Sequence, residues 1–112
     1  EVMNETGESD MTHALIIDDM IDTGGSITEA AELLKKHGAL TITAVATHGL
    51  FSGNCVQRLT DLPIDRVITT DSVAIPDEKR FAKLQILSAA PMLAEAIKRI
   101  HNEESISSLF EL

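Results

Sequence analysis

The strongest chemical signal in this chain is Asp18-Asp19-Met20-Ile21-Asp22-Thr23-Gly24-Gly25-Ser26. It follows a short apolar run, Ala14 to Ile17, and precedes a segment of helical periodicity. A turn with two glycines exposes successive backbone N–H groups, Thr23 and Ser26 add hydroxyl donors, and a helix N-terminus behind them contributes partial positive charge. That is a phosphate site in outline, built without lysine or arginine. Three carboxylates would repel a phosphate unless they face another part of the ligand, and paired acids suit vicinal hydroxyls, from which each accepts a hydrogen bond. A sugar phosphate meets both demands. The competing reading is purely structural: Ser26-Ile27-Thr28-Glu29 has the spacing of a capping box, and Thr-Gly-Gly alone suits a strand-to-helix turn. The aspartates favour the ligand site, because an ordinary loop gains nothing from three of them at the end of a buried strand.

The elements that must position this loop are legible from periodicity. Ala14 to Ile17 reads as a strand of a parallel sheet, ending near Asp18. Ile27, Ala30, Ala31 and Leu34 form the apolar stripe of a helix, with Gly38 at its stop. Ile42 to Thr47, Arg66 to Thr70 and Leu84 to Leu87 read as further strands, and Gly53 to Leu59 as a short helix. Ser88 is the expected cap of a last helix with the stripe Met92, Leu93, Ala96, Ile97 and Ile100, and with Pro91 tolerated in its first turn. Residues 1–13 read as a polar connector and residues 102–112 as a tail. Alternating strands and helices imply an α/β fold with a mostly parallel sheet, whose ligands sit beyond the carboxyl ends of the strands.

Composition narrows the function classes. With 18 acidic against 9 basic residues, the net charge of −9 argues against binding nucleic acid or an anionic membrane surface. One cysteine, Cys55, permits no internal disulfide and no multi-cysteine zinc cage. A cytoplasmic location is expected, since no apolar run approaches the length of a membrane span and no signal peptide is seen. The chain begins at Glu1 and is expected to be a piece of something longer.

Asp18 to Ser26 resembles the phosphoribosyl-binding loop of the type I phosphoribosyltransferase fold, and in particular the ribose-5-phosphate loop of ribose-phosphate pyrophosphokinases, also called phosphoribosyl pyrophosphate synthetases. Ala46-Thr47-His48-Gly49-Leu50-Phe51-Ser52-Gly53, Thr69-Thr70-Asp71, Ala94-Glu95-Ala96-Ile97 and the run-in Glu1-Val2-Met3-Asn4 with Gly7 are similar to segments of those enzymes. The resemblance implies a carboxy-terminal, incomplete phosphoribosyltransferase-like (Rossmann-like) domain over residues 1–112. In it Asp18 and Asp19 would bind ribose hydroxyls, while Asp22, Thr23, Gly24, Gly25 and Ser26 would surround the 5-phosphate. It further implies transfer of the diphosphoryl group of ATP to ribose 5-phosphate with Mg2+, ligands for that metal outside this chain, and a homo-oligomer. Two alternatives stand beside it: a phosphoribosyltransferase of nucleotide salvage, against which THGLFSG and the lack of an aromatic cluster weigh, and a non-catalytic synthetase-associated regulatory protein.

His48 ends a strand on the ligand side, but a strand-end histidine is more often structural. His13, His37 and His101 lack partners at metal-ligand spacing. Cys55 reads as a small buried hydrophobe, two of the three phenylalanines as packing residues, and Arg58, Arg66, Lys79, Arg80 and Lys83 as mostly a solvated face, with Lys79-Arg80 able to touch a phosphate. Ser105, Ser107 and Ser108 read first as a solvated tail. The resemblance adds a second role for them, as part of a regulatory phosphate site.

Overall fold

A computed structural model describes residues 13–110. The order is β1 (His13–Ile21), α1 (Gly25–Lys36), β2 (Thr41–Gly49), α2 (Cys55–Asp61), β3 (Arg66–Thr70), β4 (Leu84–Leu87) and α3 (Ala90–His101), with single 3-10 turns at Asp77–Lys79 and Ser107–Phe110. The four strands pair in chain order, all parallel. This is the expected α/β class. The connector expected over residues 1–13 lies outside the described residues except for His13, which belongs to β1.

The topology dictates where the core lies. Each crossover steps the chain one strand in the same direction, and right-handed crossovers taken in one direction put every connection on one face of the sheet. On that face Ile16, Ile42, Ala44, Ala46 and Val67 are buried against Ile27, Ala30 and Ala31 of α1 and Cys55 and Leu59 of α2. Phe51 closes the cluster and meets Phe81 edge-on, ring centroids 5.6 Å apart. The opposite face carries Leu15 and Ile17, 62% and 61% exposed, and Leu87, half exposed. The last helix leaves this imbalance in place: its stripe residues Met92, Leu93, Ile97 and Ile100 are all exposed.

Element boundaries depart from the sequence reading at several elements. Strand β1 does not end near Asp18 but runs on to Ile21, and β2 runs past Thr47 to Gly49, because the pairs Asp18 with Ala46, Met20 with His48 and Ile21 with Gly49 extend the ladder into polar sequence. Backbone pairing does not require apolar side chains at the solvated end of a strand. The capping box at Ser26, the competing structural reading, does not form. Gly24 takes the cap position with φ 85°, and no side chain caps the helix. The last helix begins at Ala90, with Ala89 at the cap, while the Ser88 hydroxyl accepts the Ala90 N–H at 3.1 Å.

An apolar face bared by topology seeks a cover. The isolated 112-residue chain is expected to self-associate with rising concentration in sedimentation velocity runs. The double substitution Leu15→Thr, Ile17→Thr should shift it toward monomer with little change in melting temperature, because both side chains are already exposed. A chain monomeric at every concentration would show that this face does not drive association.

Candidate functional site

The loop between β1 and α1 is shaped by what happens to its carbonyl oxygens. The Ile21 carbonyl accepts the N–H groups of Leu50 and Phe51 at 2.8 and 3.3 Å, the Asp22 carbonyl accepts Ser52 N–H at 2.9 Å, and the Thr23 carbonyl accepts Arg58 Nη1 at 3.2 Å. The Gly24 carbonyl receives both the N–H and the hydroxyl of Thr28, at 2.9 and 2.7 Å. Four consecutive acceptors are thus occupied from behind. The N–H groups of Thr23, Gly24, Gly25 and Ser26 donate to no other described residue. They stand at the open first turn of α1, where donors have no intrahelical partner and the helix dipole favours an anion.

Gly24 is required twice over. Its φ of 85° is a left-handed conformation, and a Cβ there would lie 3.1 Å from the Cys55 Sγ beneath it. Gly25 is different: its φ is not positive, and its nearest neighbours would stand 4.0 Å from a Cβ. The left-handed turn therefore falls on Gly24 alone.

The three carboxylates precede the glycine turn. Asp18 is half-buried and Asp19 exposed at the end of β1, and Asp22 is exposed in the loop itself. The neighbouring Asp19, through its side chain and its backbone N–H at 2.8 Å, holds the Asp18 carboxyl below its ordinary value. Asp18 is an ionised acceptor at neutral pH. Asp71, at the end of β3, is also held low, first by the Ala89 N–H at 2.8 Å and then by the Ser88 hydroxyl. Its carboxylate therefore serves the start of α3.

The second motif, THGLFSG, proves to be the support of the first. Gly49 is paired with Ile21, and a Cβ on it would lie 2.7 Å from the Phe51 ring and 3.0 Å from the Thr69 methyl. Phe51 itself adopts a left-handed φ of 51°, which turns its ring back over Gly49 while its N–H reaches the Ile21 carbonyl. Cys55 is fully buried, and burial pushes its thiol from the ordinary 9.0 up to about 11. The expectation of a packing cysteine holds. His48 places Nδ1 2.7 Å from the Ser72 hydroxyl, which also lies 3.0 Å from the Thr47 carbonyl.

Of the five basic residues read as mostly a solvated face, Arg58, Arg66 and Arg80 are exposed, while Lys79 and Lys83 are half-buried. Lys83 Nζ donates to the carbonyls of Leu59, Thr60 and Leu62 at 3.0, 2.8 and 2.9 Å, capping the C-terminal end of α2. Lys79 Nζ donates to the Leu50 carbonyl at 2.9 Å, and Arg58 reaches the loop. Only three-dimensional proximity reveals these contacts, which span 21 to 35 positions of sequence. In the tail, Arg99 bonds Glu95 at 3.0 Å and the Ser108 hydroxyl at 2.5 Å, and the Ser105 and Ser107 hydroxyls are 3.1 Å apart. The three serines thus gather beside α3. Among the described residues no group of three or more His, Cys, Asp or Glu side chains is placed to hold a metal ion.

Fold and loop together define a class: a parallel α/β domain with an anion-receptive turn at the carboxyl end of an edge strand. Residues 2–111 match the phosphoribosyl synthetase-associated domain, and the chain belongs to that family. It is 47% identical over 110 residues to the ribose-phosphate pyrophosphokinase of Caldanaerobacter subterraneus subsp. tengcongensis, a match covering 98% of this chain and 35% of that protein. It is also 49% identical over 111 residues to the ribose-phosphate pyrophosphokinase of Vibrio parahaemolyticus, with the same coverage. The crystal structure of phosphoribosylpyrophosphate synthetase from Mycobacterium smegmatis superposes with a TM-score of 0.83 at 39% identity, over 88% of this chain and 33% of that one. The chain spans about a third of the length of these relatives.

Two stability tests follow from the loop geometry. Gly24→Ala should destabilise the fold by about 1–2 kcal/mol from the left-handed backbone alone, more with the Cys55 contact, whereas Gly25→Ala should be neutral or slightly stabilising; urea denaturation of both variants separates them. Because the Cys55 thiol is raised, the unfolded chain ionises first as pH rises, so its stabilising contribution is complete below pH 9.0 and lost toward about pH 11. Melting curves across that window should show a decline that Cys55→Ala makes shallower.

Proposed function

We propose that this chain is the ribose-5-phosphate-binding part of a ribose-phosphate pyrophosphokinase, an enzyme that transfers the diphosphoryl group of ATP to the C1 hydroxyl of ribose 5-phosphate. The carrying observation is the loop whose carbonyls at residues 21 to 24 are all engaged while the N–H groups of Thr23 to Ser26 have no partner among the described residues. In this reading those donors, with the Thr23 and Ser26 hydroxyls, receive the 5-phosphate. Asp18 and Asp19 accept hydrogen bonds from the ribose hydroxyls, and Asp22 stands beside the phosphate. Held there, the sugar has its C1 hydroxyl directed away from the loop, toward the rest of the enzyme. The C1 oxygen bonds to the β-phosphorus of ATP, the bond between the α–β bridging oxygen and that phosphorus breaks, the hydroxyl proton departs, and AMP leaves. Such transfers depend on positioning and charge neutralisation, and this chain supplies the first.

In this reading Mg2+, which neutralises charge on the transferring phosphates, sits with the nucleotide and with residues elsewhere in the enzyme. The named relatives support the same assignment, as ribose-phosphate pyrophosphokinases. A homo-oligomer in the cytoplasm is the proposed setting. The gathered Ser105, Ser107 and Ser108 beside Arg99 are proposed as one wall of a regulatory phosphate site completed by other subunits.

The full-length enzyme carrying this segment should release AMP only when ATP, ribose 5-phosphate and magnesium are all present. Asp19→Ala should weaken ribose 5-phosphate binding by about 1.5–3 kcal/mol, the range for a charged acceptor, and Gly25→Val should do so by obstructing the approach to the free N–H groups. Unchanged affinity of both variants in titration calorimetry would remove the loop from the site. Condensation of a base with phosphoribosyl pyrophosphate, without AMP release, would favour the salvage alternative. An intact protein that binds the sugar phosphate and turns nothing over would favour the regulatory one.

A further inference from the structure

The loop offers a phosphate its N–H groups, the helix dipole and the Thr23 and Ser26 hydroxyls, against three nearby carboxylates, Asp18, Asp19 and Asp22. Arg58, one turn beyond Cys55 on α2, lies alongside: its Nη1 donates to the Thr23 carbonyl at 3.2 Å, the same nitrogen is 4.0 Å from the Cβ position of Gly25, and its Cδ is 3.7 Å from that of Gly24. No other lysine or arginine among the described residues hydrogen-bonds this loop, since Lys79 and Lys83 are committed to Leu50 and to the end of α2. The other guanidinium donors of Arg58 have no partner among the described residues.

We propose that Arg58 is a positioning residue for the sugar phosphate: by holding the Thr23 carbonyl it turns the Gly24 N–H of the same peptide outward, and its charge offsets the three aspartates. This rests on the reading of the loop as the 5-phosphate site. The orientation arises because a peptide whose carbonyl is held on one side presents its N–H on the other. The charge acts at short range beside an anionic ligand.

The test uses the full-length enzyme with Arg58→Ala, Arg58→Gln and Arg58→Lys. Arg58→Ala should raise KM for ribose 5-phosphate about tenfold, equivalent to about 1.4 kcal/mol, while KM for ATP and the melting temperature stay near those of the unsubstituted enzyme. Arg58→Lys, which keeps the charge and a donor, should recover most of the loss, and Arg58→Gln, which keeps a donor alone, should recover less. An unchanged KM for ribose 5-phosphate in Arg58→Ala overturns the proposal, as does a parallel loss for both substrates together with a lowered melting temperature, the mark of a merely structural role. Calorimetry on the unsubstituted enzyme separates the two levels: if it binds ribose 5-phosphate and Arg58→Ala binds equally well, only the role of Arg58 fails. If the unsubstituted enzyme does not bind the sugar phosphate, the loop reading fails and takes this proposal with it.

Discussion

A turn can offer its N–H groups to a ligand only if something else takes its carbonyls, and that constraint organises this domain. Residues 21 to 24 place four successive carbonyl oxygens against the segment that follows β2, against Arg58 on α2 and against Thr28 of α1. Buried peptide groups need partners, so a loop left to itself would satisfy some acceptors with its own donors and close up. Here the acceptors are satisfied from outside. The donor face stays open as a result, and Gly24 adopts the backbone that this division of labour demands.

The supports in turn depend on close packing. Gly49 allows the Phe51 ring to lie directly on the strand end, Cys55 fills the space under Gly24, and Lys83 secures the end of the short helix that carries Cys55 and Arg58. A helix of seven residues has little stability of its own, so its place depends on such contacts. The same one-directional topology that stacks α1 and α2 under the loop leaves the far face of the sheet to other surfaces.

Much of this was written plainly in the sequence, and the remainder was hidden for definable reasons. Strands β3 and β4 fall where alternation places them, and the stripe Ile27, Ala30, Ala31 buries as its spacing requires. The extension of β1 through its acids was illegible, because pairing of a strand's solvated end leaves no hydrophobic trace. The split between Gly24 and Gly25 was equally silent, since two adjacent glycines look alike until one acquires a positive φ. THGLFSG stood out as a motif, but its function as a bracket for a loop 28 or more positions earlier lies in backbone hydrogen bonds, which side-chain identity does not encode. The roles of Arg58, Lys79 and Lys83 escaped for a related reason: each reaches a carbonyl, and carbonyls are the same at every residue.

The bracket also fixes an order of events. Its contacts join residues separated by some thirty positions, and β1 meets β2 across the whole intervening helix, as in the pairing of His13 with Thr41. Closing that distance carries an entropic cost that must be met before the contacts return anything. The loop therefore takes its final shape only after the two strands have zipped together and α2 has docked. On the proposed reading, a ligand that takes up the open N–H groups selects the finished unit and has no foothold on partly folded chains, so its binding energy would fall almost wholly on the completed domain, as a lock on a closed assembly.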